Sequence, residues 1–159
     1  MVFLAAACLM TGCNKKAQEP TIAEPQTISM DQLSFTLPEE FTPVTVENKD
    51  LAFMYSCDDI YIYGYQENKQ ELMKILNCSI YTLDSYVQSF ADNISECVVE
   101  QTENCWTLSY ADKLNDMDYT FVCAIYETEE NFWRLMGCCP TESFEESSED
   151  LWEYVLSAQ

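Results

Sequence analysis

There is no histidine in these 159 residues, and 7 lysines and arginines stand against 28 aspartates and glutamates. Without an imidazole, a serine or cysteine nucleophile lacks its usual base. A mixed cysteine–histidine zinc site cannot be completed either, and no two cysteines stand at C-x-x-C spacing. The EF-hand calcium pattern is missing as well. A net charge of −21 repels phosphate backbones, which excludes nucleic acid as a partner. It also disfavours electrostatic docking onto anionic headgroups. Charge of one sign keeps a domain soluble and spaced from its neighbours; a surface for a basic partner or a cation is the sharper reading. What the chain does have is 48% apolar residues and 13% aromatics, enough for a core. Its length suits one domain with some tail, and no internal repeat is visible.

The apolar run Val2 to Met10 is too short to cross a bilayer, which takes about 20 residues, but has the length of a signal-peptide core. Leu9-Met10-Thr11-Gly12-Cys13 resembles the lipobox of bacterial lipoproteins, with Met10 where that family usually carries Leu, Val or Ile. The resemblance implies cleavage before Cys13 and a diacylglycerol on its thiol; Cys8 has too little apolar chain before it. Two acyl chains anchor durably where one would not. Asn14-Lys15-Lys16 is polar, and Ala17 to Gln26 carries Pro20, Pro25 and two glutamates and shows no core periodicity, as a tether would. The expected organisation is therefore a signal peptide over 1–12, a tether over 13–25 and one domain over 26–159. The expected location is the extracytoplasmic face of the cell membrane.

Within that domain, Leu33, Phe35 and Leu37 alternate with polar residues up to Pro38, as in a half-buried strand. Ile28 to Met30 reads as a short strand and Phe41 to Val46 as extended chain. Leu51 to Cys57 alternates again, Asp58-Asp59 interrupts the register, and Ile60 to Tyr65 puts isoleucine on one face and tyrosine on the other. Gln66 to Lys74 reads as a loop or loose helical turn. Thr82 is placed to cap a helix whose Leu83, Tyr86, Val87, Phe90, Ala91 and Ile94 form one apolar stripe. Strands are expected at Cys97 to Gln101, Trp106 to Tyr110, Tyr119 to Thr128 and Phe132 to Cys139. A last helix is capped by Ser147 or Ser148 and buries Leu151, Trp152, Val155 and Ala158.

If Glu129-Glu130 is a two-residue turn, Ile125 faces Arg134, Cys123 faces Met136 and Phe121 faces Cys138. Both faces of that hairpin are then apolar, which a sheet open to water on one side would not show. The expected fold is α+β: an antiparallel sheet covered by helices on both faces, an α/β/α sandwich. This order of elements, opened by Leu33-Ser34-Phe35-Thr36-Leu37-Pro38-Glu39-Glu40-Phe41, resembles the PsbP-like fold shared with the Ran-binding Mog protein and DcrB-type lipoproteins. The resemblance covers about residues 26 to 158. It implies a non-catalytic domain that binds or stabilises a partner, and brings no catalytic residue with it.

Apart from Cys8 and Cys13, seven cysteines remain, an odd number. Cys57, Cys97, Cys123, Cys138 and Cys139 fall in expected strands, as small buried thiols do. Export favours disulfides, whereas the register opposes them: Cys123 does not face Cys138, a three-residue turn sets Cys97 opposite Ser109, and the adjacent Cys138 and Cys139 point apart. Acid pairs at Asp58-Asp59, Glu129-Glu130 and Glu145-Glu146 sit at turns or ends, where solvated charge is ordinary. Calcium at Asp116 and Asp118, or at Glu145, Glu146, Glu149 and Asp150, is the other reading. Tyr61, Tyr63 and Tyr65 share a strand face, either as covered core or as an aromatic binding strip. The resulting expectation is a lipid-anchored, non-catalytic domain without cofactor or metal, whose partners are the membrane and an envelope or extracellular protein. A cation- or small-ligand-binding lipoprotein is the alternative, and a glycan-cleaving carboxylate pair the third.

Overall fold

The structure is a computed structural model that describes residues 25–159 except Val46 and Asn48. The signal peptide, Cys13 and the tether lie outside the described residues. Among the described residues nine strands and three α-helices follow one another: β1 Gln26–Met30, β2 Leu33–Leu37, β3 Thr42–Pro43, β4 Leu51–Cys57, β5 Ile60–Asn68, α1 Lys69–Ile75, α2 Leu83–Ala91, β6 Val98–Gln101, β7 Trp106–Leu114, β8 Met117–Glu127, β9 Asn131–Pro140 and α3 Phe144–Leu156. Seven strands form one antiparallel sheet in the order β3-β4-β5-β9-β8-β7-β6, and β1 and β2 form a separate hairpin. No helix among the described residues is long and apolar enough to cross a membrane.

The β8–β9 hairpin has the register expected of its two-residue turn: Ile125 pairs with Arg134, Cys123 with Met136 and Phe121 with Cys138. Thr128 and Asn131 close that turn through Thr128 N–H to the Asn131 carbonyl at 2.9 Å. Both faces are buried, and each carries its own core. On one, Val122, Ala124, Tyr126, Trp133 and Leu135 meet Leu151 and Val155 of α3, together with Ile28, Leu33, Phe35 and Leu37 of the β1–β2 hairpin. On the other, Phe121, Cys123, Ile125 and Met136 meet Tyr86 and Val87 of α2. The helices lie on both faces, as an α/β/α sandwich requires, but the β1–β2 hairpin shares the cover with α3. Tyr126 Oη donates to the Val155 carbonyl at 2.8 Å and Ser157 Oγ accepts from Thr36 N–H at 2.9 Å, which fixes α3 against both.

Two glycines set how closely these layers approach. A Cβ at Gly137 would lie 2.9 Å from Leu151 Cδ2, and one at Gly64 would lie 2.3 Å from the Phe53 ring. Neither glycine serves a turn. The turns instead use Gln32, Asp58, Asn115 and Asp116 at positive φ, and the short polar side chains of Asn and Asp tolerate that conformation best.

Three expectations are corrected. Where a loop or loose helical turn is expected over Gln66 to Lys74, residues 66–68 extend β5 and residues 69–75 form a helix, α1. Asn68 caps it, its side chain accepting from the Gln70 and Glu71 amides. The last helix starts at Phe144, with Ser143 as its cap position, not at Ser147 or Ser148. A 3-10 turn at Thr141–Ser143 leads out of β9 directly, and Phe144 packs on the core. Val98, not Cys97, pairs with Ser109, because the β6–β7 turn holds four residues; Cys97 lies just before β6 and still does not face Cys105.

The sheet ends in β3, two residues long, and in β6, whose four residues are all exposed. All seven described cysteines are free; Cys105, Cys123, Cys138 and Cys139 are buried, while Cys57, Cys78 and Cys97 are partly open. Burial pushes the Cys123 thiol up to about 12 against the opposing pull of Arg134, and pushes Cys138 up to about 12. The native chain therefore keeps protons between pH 9.0, the ordinary thiol value, and about 12 that the unfolded chain releases. The stability these thiols supply is complete below pH 9 and falls as pH rises through that window, by about 1.4 kcal/mol per unit for each thiol. Urea midpoints that stay level from pH 9 to 11 would contradict this.

Candidate functional site

The α2-covered face is not covered along its whole length. Beyond the helices, Tyr61, Tyr63 and Tyr65 of β5 stand half-buried beside one another, with the Tyr63 and Tyr65 rings 6.0 Å apart and edge to face. The isoleucine–tyrosine alternation of β5 explains this: Ile62 is fully buried toward α3, so the tyrosines face the other way. They line an apolar groove of about 230 Å³ with Leu51, Met54, Leu114, Phe121 and Cys138. The three tyrosines are thus neither sealed core nor a free strip. Their inner edges pack on the core while their outer edges form the groove wall. Burial raises the Tyr63 phenol well above its ordinary range, so it stays protonated.

One end of the groove runs into a second feature that the sequence reading did not single out. Arg134, the chain's one arginine, lies on β9 opposite Tyr65. Its guanidinium sits 4.4 Å from the Tyr65 ring and 4.7 Å from the Phe90 ring. Its Nη2 donates to Glu67 Oε2 at 3.1 Å, and Tyr86 Oη donates to the same oxygen. Arg134 Nε is buried without a partner. A cation with a carboxylate and aromatic faces around it is a stable way to place charge on an apolar sheet face. Glu67, Tyr86, Phe90 and Arg134 line a cavity of about 250 Å³ with Leu72, Leu76, Tyr81, Ser89 and Asn93.

The elements hold these groups firmly. Thr82 caps α2 by accepting from Ser85 N–H at 3.2 Å, as its sequence position suggested. The Tyr86 ring stacks on Phe132 at 4.6 Å. Lys69 at the start of α1 reaches the β8–β9 turn, pairing with Glu127 at 2.6 Å and donating to the Thr128 carbonyl at 2.5 Å. Burial keeps the Tyr86 phenol protonated far above its ordinary range; it donates to Glu67 and supplies no base. The chemistry open to this surface is recognition: ring faces, a half-buried ion pair and an apolar trough. Among the described residues no three carboxylates or thiols converge as metal ligands do. Asp118 pairs with Lys113 at 3.1 Å instead. The signal for Arg134 was present in the hairpin register, which set a lone cation opposite Ile125 on an apolar face.

No protein-family model and no curated protein matches the sequence. Solved structures do match in fold. A Bacteroides thetaiotaomicron protein superposes with a TM-score of 0.50 at 13% identity over 80% of this chain, which spans only 44% of that one. LpqN of Mycobacterium tuberculosis, described as involved in cell envelope biogenesis, superposes with a TM-score of 0.50 at 8% identity, over 86% of this chain and 90% of its own. Cyanobacterial PsbP from Synechocystis covers 97% of both chains at 10% identity with a TM-score of 0.49. The Ran-binding protein Mog1p of Saccharomyces cerevisiae gives 0.47 at 8% identity, over 86% of this chain and 95% of its own. At this identity the likeness is one of fold alone, and the fold is the α+β sandwich expected.

Proposed function

With an α+β sandwich of the PsbP-like, Mog-type architecture as the premise, we propose that this chain is a lipid-anchored, non-catalytic binding domain on the extracytoplasmic face of the cell membrane. Cys13 carries the diacylglycerol, and the partner is an envelope or extracellular protein seated on the tyrosine groove. The observation that carries this reading is the groove itself: an apolar trough walled by Tyr61, Tyr63 and Tyr65 in a chain of net charge −21. Tyrosine gives large, rigid contact area at low entropic cost, and the surrounding charge favours a partner with basic as well as apolar side chains. The envelope role in LpqN's description fits the location.

The test is photocrosslinking in the native envelope. A Leu114→benzoylphenylalanine chain carries the probe at the groove edge, at a position 43% exposed. A single crosslinked protein is expected, lost when Tyr61→Asp is added, while Cys13→Ser moves the chain out of the membrane fraction. A Cys13→Ser chain that still sediments with membranes sinks the anchor. Crosslinks that survive Tyr61→Asp sink the groove.

A second reading, a small-ligand lipoprotein, is favoured by the Arg134 cavity, whose mixed polar and apolar lining is that of a small-molecule site.

A further inference from the structure

Three of the large apolar side chains most open to solvent fall within six residues: Ile75 at 78%, Leu76 at 49% and Ile80 at 76% exposed. They occupy the end of α1 and the connection to α2. That connection has a set shape. Leu76 N–H donates to the Leu72 carbonyl at 2.9 Å, Cys78 N–H to Met73 at 3.0 Å and Asn77 N–H to Lys74 at 3.3 Å, with Asn77 at φ 52°. The exposed side chains are therefore held out by a closed turn.

The charge pattern says what they meet. Residues 72–83 contain no aspartate or glutamate, and no other stretch of twelve residues within 26–159 lacks one. The only charge within it is Lys74. Two of the other exposed apolar residues keep acidic company: Met117 stands between Asp116 and Asp118, and Val99 next to Glu100. In so anionic a chain, an acid-free tip with aliphatic side chains and one lysine is the part a lipid headgroup region would not repel. Apolar clusters held out into solvent mark contact sites.

We propose that the α1–α2 connection is a second membrane contact, dipping Ile75, Leu76 and Ile80 into the interfacial layer of the bilayer that holds the lipidated Cys13. The inference rests on the anchor reading above. Thirteen residues separate the anchor's start from the sheet hairpin at Gln26, a reach of at most about 45 Å. The ten residues of β9 span about 33 Å, so the tether is long enough for any side of the domain to face the membrane. Once the anchor confines the domain, a shallow contact needs little affinity of its own to set its orientation.

The experiment uses the full lipidated chain in vesicles of phosphatidylcholine and phosphatidylglycerol, with and without bromine on the acyl chains. Bromine quenches only indole that reaches it. The wild type, with Trp106, Trp133 and Trp152, sets the baseline; Ile80→Trp and Ile75→Trp place an indole at the tip; Val98→Trp, on the exposed β6 edge, is the control. Tip variants should lose up to about a quarter of their emission beyond the wild-type baseline, since one indole of four then lies ~5–10 Å deep in the interface, and the control none. If the protein floats with the vesicles but the tip indoles quench no more than Val98→Trp, the loop contact is overturned, the anchor stands, and the tip belongs to a protein partner. If the protein does not float, the anchor has failed and the loop contact falls with it.

Discussion

Trp133→Ala is expected to remove about 3–5 kcal/mol of folding stability, a large share of the 5–15 kcal/mol of an ordinary domain. Trp133 is 1% exposed and lies at the centre of the α3 face, between Gln66 and Tyr126 on the neighbouring strands. Its loss leaves a cavity that a sheet with strands on both sides cannot close by shifting. Its Nε1 has no hydrogen-bond partner, so Trp133→Phe sacrifices packing but no polar contact and should cost less than half as much. Urea unfolding followed by far-UV circular dichroism gives both numbers. Similar costs for the two variants would mean that the indole N–H, and not ring volume, holds the site.

Glu67→Leu is expected to cost about 3 kcal/mol, because it strands the Arg134 guanidinium between two rings on an apolar face. The side chain of Arg134 is 17% exposed and that of Glu67 35%, so water moderates the penalty below that of a sealed pair. Arg134→Met leaves Glu67 with the Tyr86 donor still in place and should cost less. The double variant should return to within about 1 kcal/mol of wild type, since a matched apolar pair often equals a half-buried ion pair. A double variant as unstable as the sum of the singles would show that the two side chains act separately. Because neither residue faces α3, the double variant also separates the stability of this cluster from any binding it performs.

The sheet was readable where geometry is local. The β8–β9 register follows from a two-residue turn and the alternation of side chains, and one correct register decides both faces. The α2 stripe was readable from Leu83 to Ala91 because Thr82 and its apolar residues recur at helical spacing, while Ile94, expected in the same stripe, falls beyond the helix end. α1 was not, since none of its residues is buried. Its order comes from the Asn68 cap and from Lys69 gripping the β8–β9 turn, a tertiary contact that no periodicity announces. The start of α3 was misplaced for the opposite reason: serines stand at 143, 147 and 148, and only the path out of β9 selects among them. The site was half visible. Alternation put Tyr61, Tyr63 and Tyr65 on one face, whereas the degree to which α2 covers them depends on where a helix ends in space. Glu67 and Arg134 are 67 positions apart; periodicity puts Arg134 in a strand but leaves Glu67 in a loop, so no common corner follows from it.

The open rim of the sheet at β6 has a consequence for molecules gathered on a surface. Every second residue there offers its unpaired amide and carbonyl to any strand that comes alongside, and Val98 and Val99 add adhesive side chains. Molecules confined to a plane collide far more often than in solution, which should invite stacking rim to rim. The 21 excess negative charges oppose this once two copies come within about 8 Å of each other at physiological salt. The acidity of the chain thus works as a spacer between identical copies, and it lets the fold leave a sheet border uncapped.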